Sequence, residues 1–177
     1  MRPLMALSAT LMFALVACGQ AAAPVDAGAQ TAATVGGEVT AAERAAILTA
    51  LGEGGAAAQL ENECGEMVAP QFLPADVGPG VGRAVAFVMS GGPNMASCYG
   101  DGPYVRLMRN SGGEWTEIYS RRGGMVAILP TRHRGGNDLA DGGPGFSFPV
   151  WEWNGTAYAF AHREIADTDL GDARFLP

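Results

Sequence analysis

The clearest candidates for chemistry in this chain are its two histidines and the arginines around one of them. In "TRHRGGND" His133 lies between Arg132 and Arg134, five residues ahead of Asp138, and Arg121 and Arg122 precede it by one hairpin. Guanidinium groups grip phosphate or carboxylate through paired N–H donors, so Arg121, Arg122, Arg132, His133 and Arg134 form a candidate anion or ligand site. The competing reading leaves these arginines solvated on strand ends and paired with Glu114 or Glu117. His162, in "FAHRE", reads as a solvated or salt-bridged residue at the end of a strand. Glu117, Asp138, Asp141 and Glu152 are of the kind that glycoside hydrolysis uses in pairs, yet their spacing singles out no pair. The sequence holds no GxSxG, HExxH or P-loop. It therefore assigns no catalytic residue, no metal ligand set and no cofactor, and a non-enzymatic protein is expected.

A second candidate is "GGPGFSFPVWEW", where glycine and proline stiffen a loop carrying Phe146, Phe148, Trp151 and Trp153. Alternation in the strand that follows puts Trp151 and Trp153 on one side and Val150 and Glu152 on the other. The tryptophans either build the core with Tyr158 and Phe160 or form an exposed platform for a glycan or a partner protein.

The elements that must position these residues are short. In "TAAERAAILTALGE" Thr40 and Glu43 have capping-box spacing, Ala41, Ala45, Ile47, Leu48 and Leu51 make an apolar stripe, and Gly52 is a natural stop. This amphipathic helix is expected to pack on a sheet. From about Val68 the chain turns to strand-length runs, "RAVAFVM", "YVRLMRN", "EWTEIYS", "MVAILP", "FPVWEWN" and "TAYAFAH". "NSGG" after Arg109 and the Asn154-Gly155 pair signal hairpins, the latter read as a type I′ turn. "DVGPGVGRAVAFVMSGG" followed by "YVRLMRNSGGEWTEIY" is echoed by "HRGGNDLADGGPG" followed by "FPVWEWNGTAYAF", a weak two-fold internal repeat.

Over about residues 74 to 162 this unit resembles the FG-GAP-type repeats that form blades of integrin-like β-propellers. The resemblance implies a calcium-binding turn before each first strand. Asp76 stands in the first such turn, with Gly78 and Gly80 where oxygen ligands belong; Asn137 and Asp138 stand in the second, with His133 and Gly135 upstream. Calcium takes six to eight oxygens, so no strong calcium site is expected. Two units cannot close a propeller. The expected fold is α+β and mostly β: an N-terminal helix packed on antiparallel meanders, as a single twisted sheet or a small sandwich.

The N-terminal segment has one cation at Arg2 and an uncharged apolar run from Leu4 to Val16, too short for the ~20 residues that span a bilayer. Leu15-Val16-Ala17-Cys18 resembles the bacterial lipobox, which implies cleavage after Ala17 and a diacylglyceryl thioether on Cys18, and Gly19 next to it implies the outer membrane. Expected, then, are a signal peptide over 1–17, a disordered tether over 18–38 rich in Ala, Gly and Thr, and one globular domain over 39–177. The envelope is oxidising, so Cys64 and Cys98 are expected to pair.

Lysine is absent, and acids outnumber arginines by 18 to 11 for a net charge of −7, which argues against a nucleic-acid partner. Three functions fit: a lipid-anchored envelope protein, facing the periplasm, that binds an envelope protein or peptidoglycan fragment; a periplasmic inhibitor of a lysozyme-like enzyme, using "GGPGF" as its loop; and a cell-wall glycan hydrolase.

Overall fold

The computed structural model describes residues 37–94, 97–143, 145 and 147–176. The expected signal peptide, Cys18, the tether up to residue 36 and Phe146 lie outside the described residues.

Helix α1 (Ala41–Ala50) starts as its sequence requires. Thr40 Oγ1 accepts from the Glu43 N–H, and the Glu43 carboxylate accepts from the Thr40 N–H at 2.9 Å, closing the capping box. Ile47 and Leu48 are buried, whereas Ala41 is exposed and falls outside the stripe expected of it. Arg83 donates to both Glu43 carboxylate oxygens, at 3.0 and 3.2 Å, and to the carbonyls of Gly37 and Glu38. Residues 37 and 38, read from sequence as tether, are thus bonded to the folded domain. Hydrogen bonding from Arg83, foremost, outweighs partial burial and holds the Glu43 carboxyl below its usual 4.5. The sign follows from that depression: this interaction contributes stability above the ordinary value and loses it as the pH falls further. Thr40→Ala removes one cap and leaves the Arg83 pair, so a loss of about 1 kcal/mol in urea unfolding is expected.

Among the described residues eleven strands follow: β1 (Leu60–Glu61), β2 (Met67–Val68), β3 (Gln71–Ala75), β4 (Ala84–Met89), β5 (Tyr104–Ser111), β6 (Glu114–Arg122), β7 (Met125–His133), β8 (Gly136–Gly142), β9 (Ser147–Trp153), β10 (Tyr158–Ala166) and β11 (Arg174–Leu176). All pairings are antiparallel. Strands β3-β4-β5-β6 form one sheet, β10-β9-β8-β7-β11 a second, and β1-β2 a small ribbon. The described residues are therefore mostly β with one α-helix at their N-terminal end, and two four-stranded meanders in succession give the two-fold character expected from the repeat.

The two sheets share one core. Ala84, Ala86, Val88, Val105, Leu107 and Ile118 of the first cluster with Val126, Ile128, Leu139 and Trp153 of the second. The other face of β4, Val85, Phe87 and Met89, meets Ile47 and Leu48 of α1, so every residue of β4 is buried. A bulge in β6 explains why consecutive Ile118 and Tyr119 both enter the inter-sheet core.

Two turns differ in kind. Ser111 pairs with Glu114 across Gly112-Gly113, whose φ values of 63° and 93° match a type I′ turn. The Asn154-Gly155 connection is a hairpin whose turn is shifted by one residue. Asn154 N–H donates to the Ala157 carbonyl at 3.1 Å and its Oδ1 accepts from the N–H groups of Thr156 and Ala157, so an Asn-capped turn centred on Gly155-Thr156 replaces the expected one.

The candidate calcium turns are also reassigned. Asn137 and Asp138 lie in strand β8, whose seven residues are all buried. The first turn abuts the second: Gly80 N–H donates to the Gly135 carbonyl at 2.9 Å and Asn137 N–H to the Val77 carbonyl at 2.8 Å. A Cβ on Gly78 would lie 2.7 Å from the Gly135 oxygen, so glycine serves close backbone approach here.

Candidate functional site

The arginine cluster read from sequence divides in two. Arg121 and Arg122 end β6 at the start of β7, whereas Arg132, His133 and Arg134 lie at the far end of β7. Strand β7 runs nine residues, Met125–His133, so its ends lie roughly 25 Å apart, eight steps at about 3.3 Å each.

At the far end, four neighbouring strands each contribute to a charged network around Asp138, which is 0% exposed. Its carboxylate accepts from Thr131 Oγ1 at 2.7 Å, His133 Nδ1 at 2.7 Å and Arg163 Nη2 at 2.9 Å. A carboxylate only accepts, so His133 donates to Asp138 through Nδ1. Nε2 then faces Glu152 Oε1 at 3.4 Å, an acid rather than a hydroxyl or thiol nucleophile. Arg163 Nε also reaches Glu152, at 3.4 Å.

Two bulges assemble this network. Between Ile128 and Arg132 β7 carries extra residues against β8, and β10 does so between Phe160 and Glu164 against β9. Pro130, which has no N–H to donate, lies inside the first bulge. The Leu129 carbonyl accepts instead from Asn137 Nδ2, at 2.6 Å. The second bulge holds His162 at φ 55°, exposed and with its ring 5.0 Å from Phe160. His162 therefore lies within β10 and not at its end.

His133, Asp138 and Glu152 place donor atoms within 4.8 Å of one another, the count of a three-ligand metal centre. Arg163 already bridges the two acids, so its guanidinium stands where a cation would neutralise them. The same bridge removes Asp138 and Glu152 as a facing acid pair, because no sugar ring fits between carboxylates joined through one arginine. Glu117 pairs with Arg106 on the other sheet. Arg132 and Arg134 are exposed.

At the near end the geometry is concave. Two adjoining clefts, of about 390 and 370 Å³, share Arg121, Arg122 and Asp141. The first is rimmed by backbone of 99–101 and 123–124 with Gly142, Ser147 and Pro149, the second by Tyr104, Ser120 and Trp151. Asp141 is 1% exposed. One of its oxygens accepts from the Tyr119 hydroxyl; the other lies 3.6 Å from Arg121 Nη1, attracted but beyond a hydrogen bond. Burial, then the nearby Asp141 charge, raise the Tyr119 phenol far above its ordinary value, so it remains a protonated donor. Tyr158, donating to the Asn137 carbonyl, is raised chiefly by burial.

Arg122 is held from two sides, by an ion pair with Glu63 and by the Tyr104 ring 5.1 Å from its guanidinium carbon. Cys64, beside Glu63, is bonded to Cys98, with Cα atoms 5.9 Å apart. The expected disulfide thus braces one rim.

No family model, curated protein or solved structure significantly matches this chain.

The aromatic loop residues are largely internal. Phe148 and Trp153 are fully buried, on opposite faces of the second sheet, so neither belongs to an exposed platform. Trp151 packs partly buried on the Trp153 side, as alternation required, with its ring in a T-shaped contact with Tyr119. Its indole Nε1 is buried without a partner.

Sequence reasoning missed Asp141 as a cleft residue, Tyr119 as its partner and Arg163 as the link between acids. The available signal was "GNDLADG", where two acids three residues apart fall on opposite faces if the run is a strand.

Proposed function

We propose that this chain is a lipid-anchored envelope protein whose domain is a non-enzymatic binding module, with its ligand in the cleft of Arg121, Arg122 and Asp141. The anchor rests on Leu15-Val16-Ala17-Cys18 at the end of a short apolar run, and Gly19 favours the outer membrane, the domain facing the periplasm. Several acyl chains hold a protein where one would be marginal. The binding reading rests on the cleft, where two guanidinium groups and a buried carboxylate converge. The ligand belongs to the envelope, as a partner protein or a peptidoglycan fragment.

Labelled palmitate is expected to enter the full chain and to be lost completely in Cys18→Ser; an unlabelled parent chain counts against the anchor. The full chain is expected to retain an envelope component that Arg121→Ala does not. Equal recovery by both forms removes the cleft from the reading.

A further inference from the structure

We infer that the network at the far end of β7 holds a second site, where His133 Nε2 and the Glu152 carboxylate bind a divalent transition-metal ion such as zinc. The length of β7 separates this pair from the cleft, so the inference stands or falls without the binding reading. Asp138 is what turns the pair into a site. It is 0% exposed, and its carboxylate accepts from His133 Nδ1 at 2.7 Å while Thr131 Oγ1 and Arg163 Nη2 hold it in place. A histidine that ligates a metal commonly gives its other ring N–H to a carboxylate, which fixes the ring and makes the free nitrogen a better ligand. Asp138 is therefore not a ligand but the partner that orients one, and it leaves Nε2 facing Glu152 across β8.

The spacing fits two ligands. Nε2 and Glu152 Oε1 are 3.4 Å apart. That is long for an N–H···O hydrogen bond, whose usual range ends near about 3.2 Å. Two atoms each about 2.1 Å from a tetrahedral ion lie about 3.4 Å from one another.

The charges fit as well. Arg163 approaches Asp138 to 2.9 Å and Glu152 only to 3.4 Å, so its cation chiefly balances Asp138. Glu152 keeps a charge for the ion, and the ion enters beside Arg163 without displacing it. The His133 and Glu152 side chains are 46% and 32% exposed, which admits the ion together with the waters that complete its shell. Imidazole with a carboxylate suits zinc and its neighbours, whereas calcium and magnesium take oxygen ligands. With two protein ligands the ion is exchangeable, and its remaining positions are open to water or to a donor on a partner.

The test is titration of the full chain in detergent with zinc chloride, calcium chloride or magnesium chloride, at about pH 7.5 where an ordinary imidazole is mostly neutral. The readout is the imidazole ring signals in NMR. The sequence has only two histidines, so the spectrum of His133→Gln assigns both, and exposed His162 serves as the internal control. Metal taken up elsewhere in the chain does not move these signals.

Zinc is expected to shift the His133 ring before the His162 ring, and calcium and magnesium are expected to shift neither. Glu152→Gln keeps the shape of the side chain and removes its charge, and is expected to weaken zinc binding at His133 about tenfold or more. Asp138→Asn keeps an acceptor for Nδ1 without the charge, and is expected to cost about tenfold, the scale of losing a metal site's outer partner. A melting curve checks both folds; if Asp138→Asn does not fold, the exposed Glu152→Gln alone decides. A His133 ring that zinc does not move, zinc shifts equal at the two histidines, a calcium response matching that of zinc, or unchanged affinity in a folded variant each overturns the inference.

Discussion

Asp138→Ala is expected to destabilise the domain by about 3 kcal/mol, the lower end of the range for breaking a buried ion pair. The side chain is fully buried and its carboxylate serves three donors, Thr131, His133 and Arg163. The estimate stays at the lower end because His133 and Arg163 are part-exposed and can turn to solvent once released. Arg163→Ala is informative beside it. That change leaves the buried carboxylate in place with two of its three donors, so its cost is expected to be comparable although the removed side chain is the more exposed one. If Asp138→Ala costs under 1 kcal/mol by urea unfolding, the network is not structural and its assembly by two bulges needs another purpose. Ligand affinity at the cleft is expected to survive in both variants. By strand alternation Asp138 and Asp141 face opposite sides of β8, and Asp141 is the one that meets Tyr119 from the other sheet.

That contrast shows where the sequence was readable. Helix α1 was legible because Thr40 and Glu43 satisfy each other within one turn, so local residues carry the whole signal. Six strands were legible from β-prone runs between turn residues. β3 and β11 were not singled out: both are edge strands, short, and β3 carries Pro74, which an edge tolerates and a run of strand formers does not advertise. β8 was obscured for the opposite reason. As the central strand of five it is covered on both faces, yet it holds Asn137, Asp138 and Asp141 in place of Val or Ile. Those polar side chains are tolerated because Tyr119 and Arg163 arrive from 22 and 25 residues away, and no local pattern announces partners at that distance. The five-residue cluster failed on similar grounds. Arg122 and Arg132 are close in sequence, but strand β7 runs between them, and even with its bulge it separates what a turn would have gathered.

The second large expectation concerns the bridge between Cys64 and Cys98, which closes a loop across 34 positions. Replacing both cysteines by serine is expected to lower stability by about 4 kcal/mol on the chain-entropy estimate, through freedom returned to the unfolded chain. The folded turn has its own supports. Asn62 is buried, its Oδ1 accepts from the N–H groups of Cys64 and Glu66, and its Nδ2 donates to the Gly91 carbonyl at 2.8 Å. Tyr99, next to Cys98, is anchored in the core that α1 covers. The double variant is therefore expected to fold, with a guanidinium midpoint well below that of the oxidised parent and equal to that of its own dithiothreitol-treated sample. A parent whose midpoint does not move under reduction would rule the bridge out as a source of stability. The loss is also expected to reach the cleft. Glu63 adjoins Cys64 and pairs with Arg122, and backbone at 99–101 forms a rim, so the bridge ties the two segments that flank the arginines. Ligand affinity measured at a temperature where the variant is fully folded is expected to fall, because ordering those segments is then charged to binding. Arg122→Ala separates the two effects: it removes the guanidinium and keeps the bridge, so it weakens binding while leaving the midpoint close to that of the parent.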